Sequence, residues 1–122
     1  MLKSSSIDRL TALLALNSTG LEQDWDVELA DEKRIGEFLA TYEGSSLSPD
    51  DKFALMALIL ASADRYIELK SNAPHEWDRI ADILLQERDL HEKTIAYWRR
   101  DGDDDPEAWF HLTPHIRTLN DD

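Results

Sequence analysis

Three stretches carry residues whose types and spacing could do chemistry. His91-Glu92-Lys93-Thr94-Ile95 opens as a zinc-protease helix does. In that motif a second imidazole follows the first by four residues, one helical turn on, so that both nitrogens reach one metal. Ile95 stands in that place, and the pair is incomplete. His111 and His115 have the four-residue spacing, but Pro114 lies between them. A proline there breaks the continuous helix that would put both rings on one face. Asp101, Asp103 and Asp105 follow the one-three-five rhythm of a calcium loop. Such a loop needs glycine at its sixth position and a bidentate glutamate at its twelfth, and this chain has Pro106 and Leu112. His75 reads as a surface residue in a first helical turn. Helix capping, a solvated loop and ordinary structural histidines account for all of these residues.

Nucleophilic catalysis has no frame either. The chain has no cysteine, which removes a thiolate nucleophile, a thiolate zinc site and a disulfide framework together. Ser45 and Ser46 follow Gly44 without a Gly-x-Ser-x-Gly elbow. The four glycines are scattered and form no phosphate loop. No catalytic residue, metal ligand or cofactor is therefore expected, and the chain reads as a non-enzyme.

Charge narrows the partners. Twenty-six acidic residues against 13 basic ones give a net charge of -13. Nucleic acid is excluded as a ligand class, because phosphate binding is driven by Lys and Arg that displace counterions. An anionic membrane surface is disfavoured for the same reason. The charge either keeps a small protein soluble or steers it to a basic protein partner. Two of the four tryptophans lie among acidic residues: Trp25 beside Asp24, Asp26 and Glu28, and Trp109 after the run from Asp101 to Glu107. An aromatic anchor ringed by charge is common on protein-binding surfaces. Trp25, Asp26, Glu28, Asp103, Asp104 and Trp109 are the expected contacts.

These residues need elements to position them. The centre of the fold is expected at Ser48–Lys70. Ser48 can cap a helix, Pro49 suits its first position, and Asp50 and Asp51 favour its positive end. From Phe53 to Ala63 only Ser62 is polar, so no face is left for water and the helix must be central. The run is too short for a bilayer. A first helix is expected at about Ser6–Asn17, with Ile7, Leu10, Leu13, Leu14 and Ala15 inward and Gly20 free to take positive φ. Within residues 21–30, Asp24 to Leu29 alternate acidic and apolar with period two, which reads as an extended segment or an irregular first turn laying Trp25, Val27 and Leu29 on the core. A second helix is expected at about Asp31–Glu43, a fourth at Pro74–Glu87 with Trp77, Ile80, Ala81, Leu84 and Leu85 inward, and a fifth opened by an Asp89–Glu92 capping box. Asp105-Pro106 and Thr113-Pro114 each look like a cap followed by proline, opening short helices near Glu107–His111 and His115–Leu119. The acidic end is expected to fray.

The runs Phe53-Ala54-Leu55-Met56-Ala57-Leu58-Ile59-Leu60-Ala61-Ser62, Leu90-His91-Glu92-Lys93-Thr94-Ile95-Ala96-Tyr97-Trp98 and Leu112-Thr113-Pro114-His115-Ile116-Arg117 resemble small, acidic, all-helical bacterial proteins of the immunity type. Such proteins protect a cell by binding a secreted or contact-delivered toxin. The likeness covers roughly the C-terminal two thirds of the chain and rests on core residues, so it implies fold more than function. It carries no functional residue across. The Tyr-Tyr-Pro helix of the colicin-nuclease immunity proteins is absent from the sequence.

The expectation is one all-α domain over residues 1–122, with about five main helices and one or two short C-terminal ones around the central helix. A cytoplasmic location is expected, since Leu10–Leu16 is too short for a signal-peptide core. The leading function is an immunity or inhibitor protein that neutralises a basic toxin domain. A self-associating structural or regulatory module, hence a homo-oligomer, is the alternative. A small helical enzyme using carboxylates or histidines comes third.

Overall fold

The structure is a computed structural model that describes residues 2–20 and 22–119. The chain is all-α. Its helices are α1 (Ser4–Leu13), α2 (Trp25–Glu28), α3 (Ile35–Gly44), α4 (Pro49–Lys70), α5 (Trp77–Gln86), α6 (Arg88–Arg99) and α7 (Thr113–Ile116), with a 3₁₀ turn at Pro106–Ala108. No strand occurs among the described residues. The acidic end at 120–122 lies outside them. The packing forms two compact units divided within α4, after Ser62.

Helix α4 has the bounds that its capping residues imply. Ser48 Oγ accepts the Asp51 N–H at 3.1 Å, which satisfies one orphan donor of the first turn. Every residue from Ala54 to Ala63 is buried. Leu55, Leu58, Ile59 and Leu60 are fully withdrawn from water, each stabilising the fold by about 2 kcal/mol of transfer free energy. Ser62 fits this apolar run because its hydroxyl is satisfied twice. It donates to the Leu58 carbonyl at 2.8 Å and accepts the Asp31 N–H at 3.0 Å.

In the first unit, α1 is shorter than its pattern suggested. It ends at Leu13, and Ala15 adopts the left-handed conformation with φ 50°. Leu16 N–H then reaches Thr11 O at 2.9 Å and Ala15 N–H reaches Ala12 O at 3.3 Å, the two bonds of a Schellman stop. Gly20 also takes positive φ, at 81°, but lies beyond the helix end. The early stop leaves Leu10 and Leu14 buried and turns Leu13 out, 54% exposed. Replacing Ala15 with glycine is expected to stabilise the protein by about 0.5–1 kcal/mol, because glycine enters the left-handed region without the Cβ clash. A denaturation midpoint unchanged or lowered by the substitution would contradict this stop.

Helix α3 begins at Ile35, later than expected, because residues 31–34 form a turn. Asp31 Oδ1 accepts the Lys33 N–H at 2.9 Å, an Asx turn that competes with helix. Its stripe of Ile35, Phe38, Leu39 and Tyr42 is buried as the spacing predicts. Residues 25–28 form a single helical turn, α2, so of the two readings the turn occurs and the extended segment does not, and the placement of Val27 on the core is corrected. Side chains two apart then diverge by about 200°. Trp25 goes in, 3% exposed, and Val27 goes out, 52% exposed.

In the second unit, α5, α6 and α7 pack in sequence. The buried stripe of α5 is Ile80, Ile83 and Leu84 rather than one reaching Leu85, which is 36% exposed. The i, i+3, i+4 rule centres the stripe between Ile80 and Leu84 and leaves Leu85 at its edge. The capping box at Asp89 does not form. Glu87 both ends α5 and begins α6, its carbonyl accepting the N–H groups of Leu90 and His91, and Asp89 falls inside the first turn. Thr113 is not a cap either. Its buried hydroxyl donates to the Trp98 carbonyl at 2.8 Å and accepts the Phe110 N–H at 3.1 Å, pinning α7 to the end of α6. Asp105 does cap as expected, accepting the Glu107 N–H at 3.0 Å ahead of Pro106.

Candidate functional site

The six expected contact residues fall in two islands, one in each unit. In the first unit, Asp24 opens α2 and its N–H is taken by Glu28 Oε2 at 2.9 Å. A carboxylate reaching back over a one-turn helix fixes the turn and faces its positive end. The indole N–H of Trp25 donates to Thr11 Oγ1 at 3.3 Å. Trp25 is therefore a core residue tying α2 to α1, with almost no surface to offer. Asp26 is half-buried. Burial pushes its carboxyl above the usual range, Asp24 adds to this, and the N–H groups of Asp26 and Val27 oppose it. The outward part of this island is Asp24, Val27 and Glu28.

In the second unit the loop 101–105 leaves the end of α6 and is closed by Arg117. The Arg117 guanidinium lies 4.2 Å from the centre of the Trp109 ring. Its Nε donates to Arg99 O at 2.8 Å, and its Nη2 donates to Arg100 O and Asp103 O, each at 2.9 Å. Trp109 adds its own indole N–H to Asp103 O at 3.0 Å. One cation thus serves carbonyls that the helix end leaves without intrahelical partners. Asp103 accepts from Arg100 at 3.0 Å and from the Asp105 N–H at 3.1 Å. The Arg100 guanidinium, followed by the Asp105 N–H, holds its carboxyl below the usual range. Asp103 and Trp109 therefore shape the loop, while Asp101, Asp104, Asp105 and Glu107 face water. Behind the loop, the Trp98 and Phe110 rings meet at an interplanar angle of 60° with centres 4.8 Å apart, and Tyr97 stands 5.2 Å from Phe110 with 55% of its surface exposed.

The histidines are dispersed in character. His91 is fully buried in α6, and His111 is exposed. His115 packs edge-on against Trp77 at 5.9 Å, and His75 Nδ1 sits 3.4 Å from Glu76. Among the described residues no three His, Asp or Glu side chains come together as a metal site. No helix among them is long and apolar enough to cross a membrane.

Sequence reasoning missed a groove in the first unit. It has a volume of about 550 Å³ and lies between α1 and residues 18–20, 22 and 25, with Ile7 and Ala12 beside Ser4, Thr11, Ser18 and Thr19 in its walls and Asp8 and Glu22 as the ionisable ones among its described residues. Glu22 organises the segment. Its carboxylate accepts from the Ser18 hydroxyl and the Thr19 N–H, each at 2.7 Å, and from the Thr19 hydroxyl at 2.9 Å. Those bonds, Ser18 first, hold its carboxyl at about 2. The Ser18-Thr19 pair just before Glu22 was the available signal. Comparison with protein-family models, curated proteins and solved structures gives no match.

Proposed function

We propose that this chain is a non-catalytic binding protein, an immunity or inhibitor protein that neutralises a basic toxin domain in the cytoplasm. The observation that carries this reading is the latched acidic loop. Asp101, Asp104, Asp105 and Glu107 are exposed on a backbone that Arg117 and Trp109 hold in one conformation. Fixing charges before encounter lowers the ordering entropy of binding, and a net charge of -13 steers a cationic partner toward them. The resemblance to immunity-type proteins supports the same reading. Of the expected contacts, those now proposed are the exposed Glu28 and Asp104, with the half-buried Asp26 at the edge of its island and Asp103 and Trp109 as the support of the loop.

The test is affinity capture from a lysate of the source organism, eluted by a salt gradient and read by mass spectrometry. One stoichiometric basic partner is expected, released by a variant carrying Glu28→Lys and Asp104→Lys at distinctly lower salt. Charge reversal at a binding surface sacrifices attraction and adds repulsion. Recovery of this chain alone would overturn the reading in favour of self-association. That second reading has its own observation: Leu13, Val27, Leu69, Leu85 and Tyr97 are large apolar side chains left exposed. It requires a mass that rises with concentration in light scattering.

A further inference from the structure

Among the described residues, Tyr97 is the one aromatic in the group of large apolar side chains left exposed; Leu13, Val27, Leu69 and Leu85 are aliphatic. More than half of its surface faces water, yet its ring is held in place. Trp98 meets it edge-on with ring centres 5.3 Å apart, and Phe110 lies against it at 5.2 Å with an interplanar angle of 31°. A tyrosine that served only the core would bury its ring, whereas this one presents a fixed aromatic face to solvent. Such a side chain has little conformational freedom left to lose on binding, which is why rigid aromatics anchor protein interfaces. The groove beside α1 offers no comparable face, since hydroxyl and carboxylate side chains line most of it and Trp25 is buried.

The charges around the ring say what covers it. The loop 101–105 leaves the end of α6 just after Tyr97, and Phe110 returns to the same ring from the far side of that loop. The aromatic face and the acidic segment therefore belong to one surface, with a cleft of about 430 Å³ between Tyr97, Arg100 and residues 101–103. Two carboxylates of this surface are already met within the chain: Asp101 by Arg99 at 3.2 Å and Asp103 by Arg100 at 3.0 Å. Asp104 and Glu107 face water and set the sign of the occupant. Lys93, exposed one helical turn before Tyr97, is the opposing charge. We infer that Tyr97 is the aromatic anchor of the partner interface, seated on an apolar patch of a basic protein whose flanking lysines or arginines meet Asp104 and Glu107. The inference rests on the basic-partner reading and adds to it the desolvated central contact, in which binding energy concentrates and which exposed charges alone do not supply.

The experiment titrates the full chain, labelled with ¹⁵N, at low salt with acetyl-Lys-Leu-Lys-Leu-Leu-Lys-amide, an apolar run flanked by cations. Matched peptides carry glutamine for lysine or serine for leucine. Amide shifts at Tyr97, Phe110 and the segment 101–107 are expected with the first peptide, and each control should bind distinctly more weakly. Tyr97→Ala should weaken binding about tenfold, the scale of an interface anchor. Tyr97→Phe should stay within about twofold, because the ring rather than the hydroxyl makes the contact. Lys93→Glu should tighten binding about twofold, the scale of an exposed charge. Tyr97 and Lys93 are both exposed, so the fold should survive, and the bonded indole N–H signals of Trp25 and Trp109 report it. Tyr97→Ala binding as tightly as wild type, with shifts confined to residues 101–107, would overturn the anchor while leaving the basic-partner reading standing. Equal binding of the serine peptide would overturn the apolar patch, and equal binding of the glutamine peptide the basic one. The absence of any shift with all three peptides would overturn both the anchor and the basic-partner reading.

Discussion

Replacing Arg117 with alanine is expected to cost about 2–3 kcal/mol of stability, the scale of charged hydrogen bonds plus a cation–π contact. The side chain does several things at once. It donates to the carbonyls of Arg99, Arg100 and Asp103, and it covers the Trp109 ring. Its removal leaves the end of α6 without these donors and lets the loop 101–105 open. Arg117→Lys should recover less than half of the loss, since one ammonium cannot fork across donor positions set by a planar guanidinium. Urea denaturation measures the stability. Exchange of the Trp109 indole N–H, bonded to Asp103 O, measures the latch itself. An alanine variant within about 0.5 kcal/mol of wild type, the range of an ordinary surface change, with that proton still protected, would show that the loop holds without Arg117. If the latched loop is the recognition surface, partner affinity should fall with the latch even though Arg117 is itself cationic.

What could be read from the sequence was the local chemistry. Ser48, Pro49 and the apolar run to Ala63 define α4 because a helix start is written within four residues and its burial within eleven. The stripe of α3 and the Asp105 cap are local in the same sense. The misread features depend on partners far along the chain. Thr113 looked like a cap because a threonine before proline usually is one, but its hydroxyl is taken by Trp98 O, fifteen residues back. Trp25 and Val27 were placed on one face because alternation implies extension. A single turn capped by Glu28 separates them, and that turn is too short to show helical periodicity. The groove beside α1 was hidden for a similar reason. Its walls come from residues 4–12 on one side and from 18–20, 22 and 25 on the other, and the Schellman stop at Ala15 turns the chain between them. The proposed contacts inherit these limits: the acidity of the islands was visible, but which of their side chains face water depends on Arg117 and Thr11.

The largest pH effect is expected at Asp51. Read locally, it is an acidic residue in the first turn of α4. In the structure it is buried at 5% exposure and receives bonds from α1: the Ser6 hydroxyl at 2.7 Å and Arg9 Nε at 3.2 and 3.1 Å to its two oxygens. Asp51→Ala should destabilise the protein by about 3 kcal/mol, because it strands the fully buried Ser6 hydroxyl and removes a charged anchor between two helices. The Arg9 bond, against the opposing effect of burial and with Ser6 in support, holds the Asp51 carboxyl at about 2. In the unfolded chain it would titrate near the ordinary value of about 3.9. The folded state is thus the weaker proton binder, so the stabilisation is complete above about pH 5 and is lost as pH falls through about 4 toward 2. Glu22, also held at about 2, acts in the same direction, so wild type alone cannot isolate the anchor. The stability difference between wild type and Asp51→Asn can, because Glu22 is common to both. That difference should be constant from neutral pH to about 5 and shrink steadily below about 4. A difference that stays the same down to about pH 2.5 would mean that Asp51 holds α1 through shape and neutral hydrogen bonds, with Arg9 contributing nothing that depends on charge.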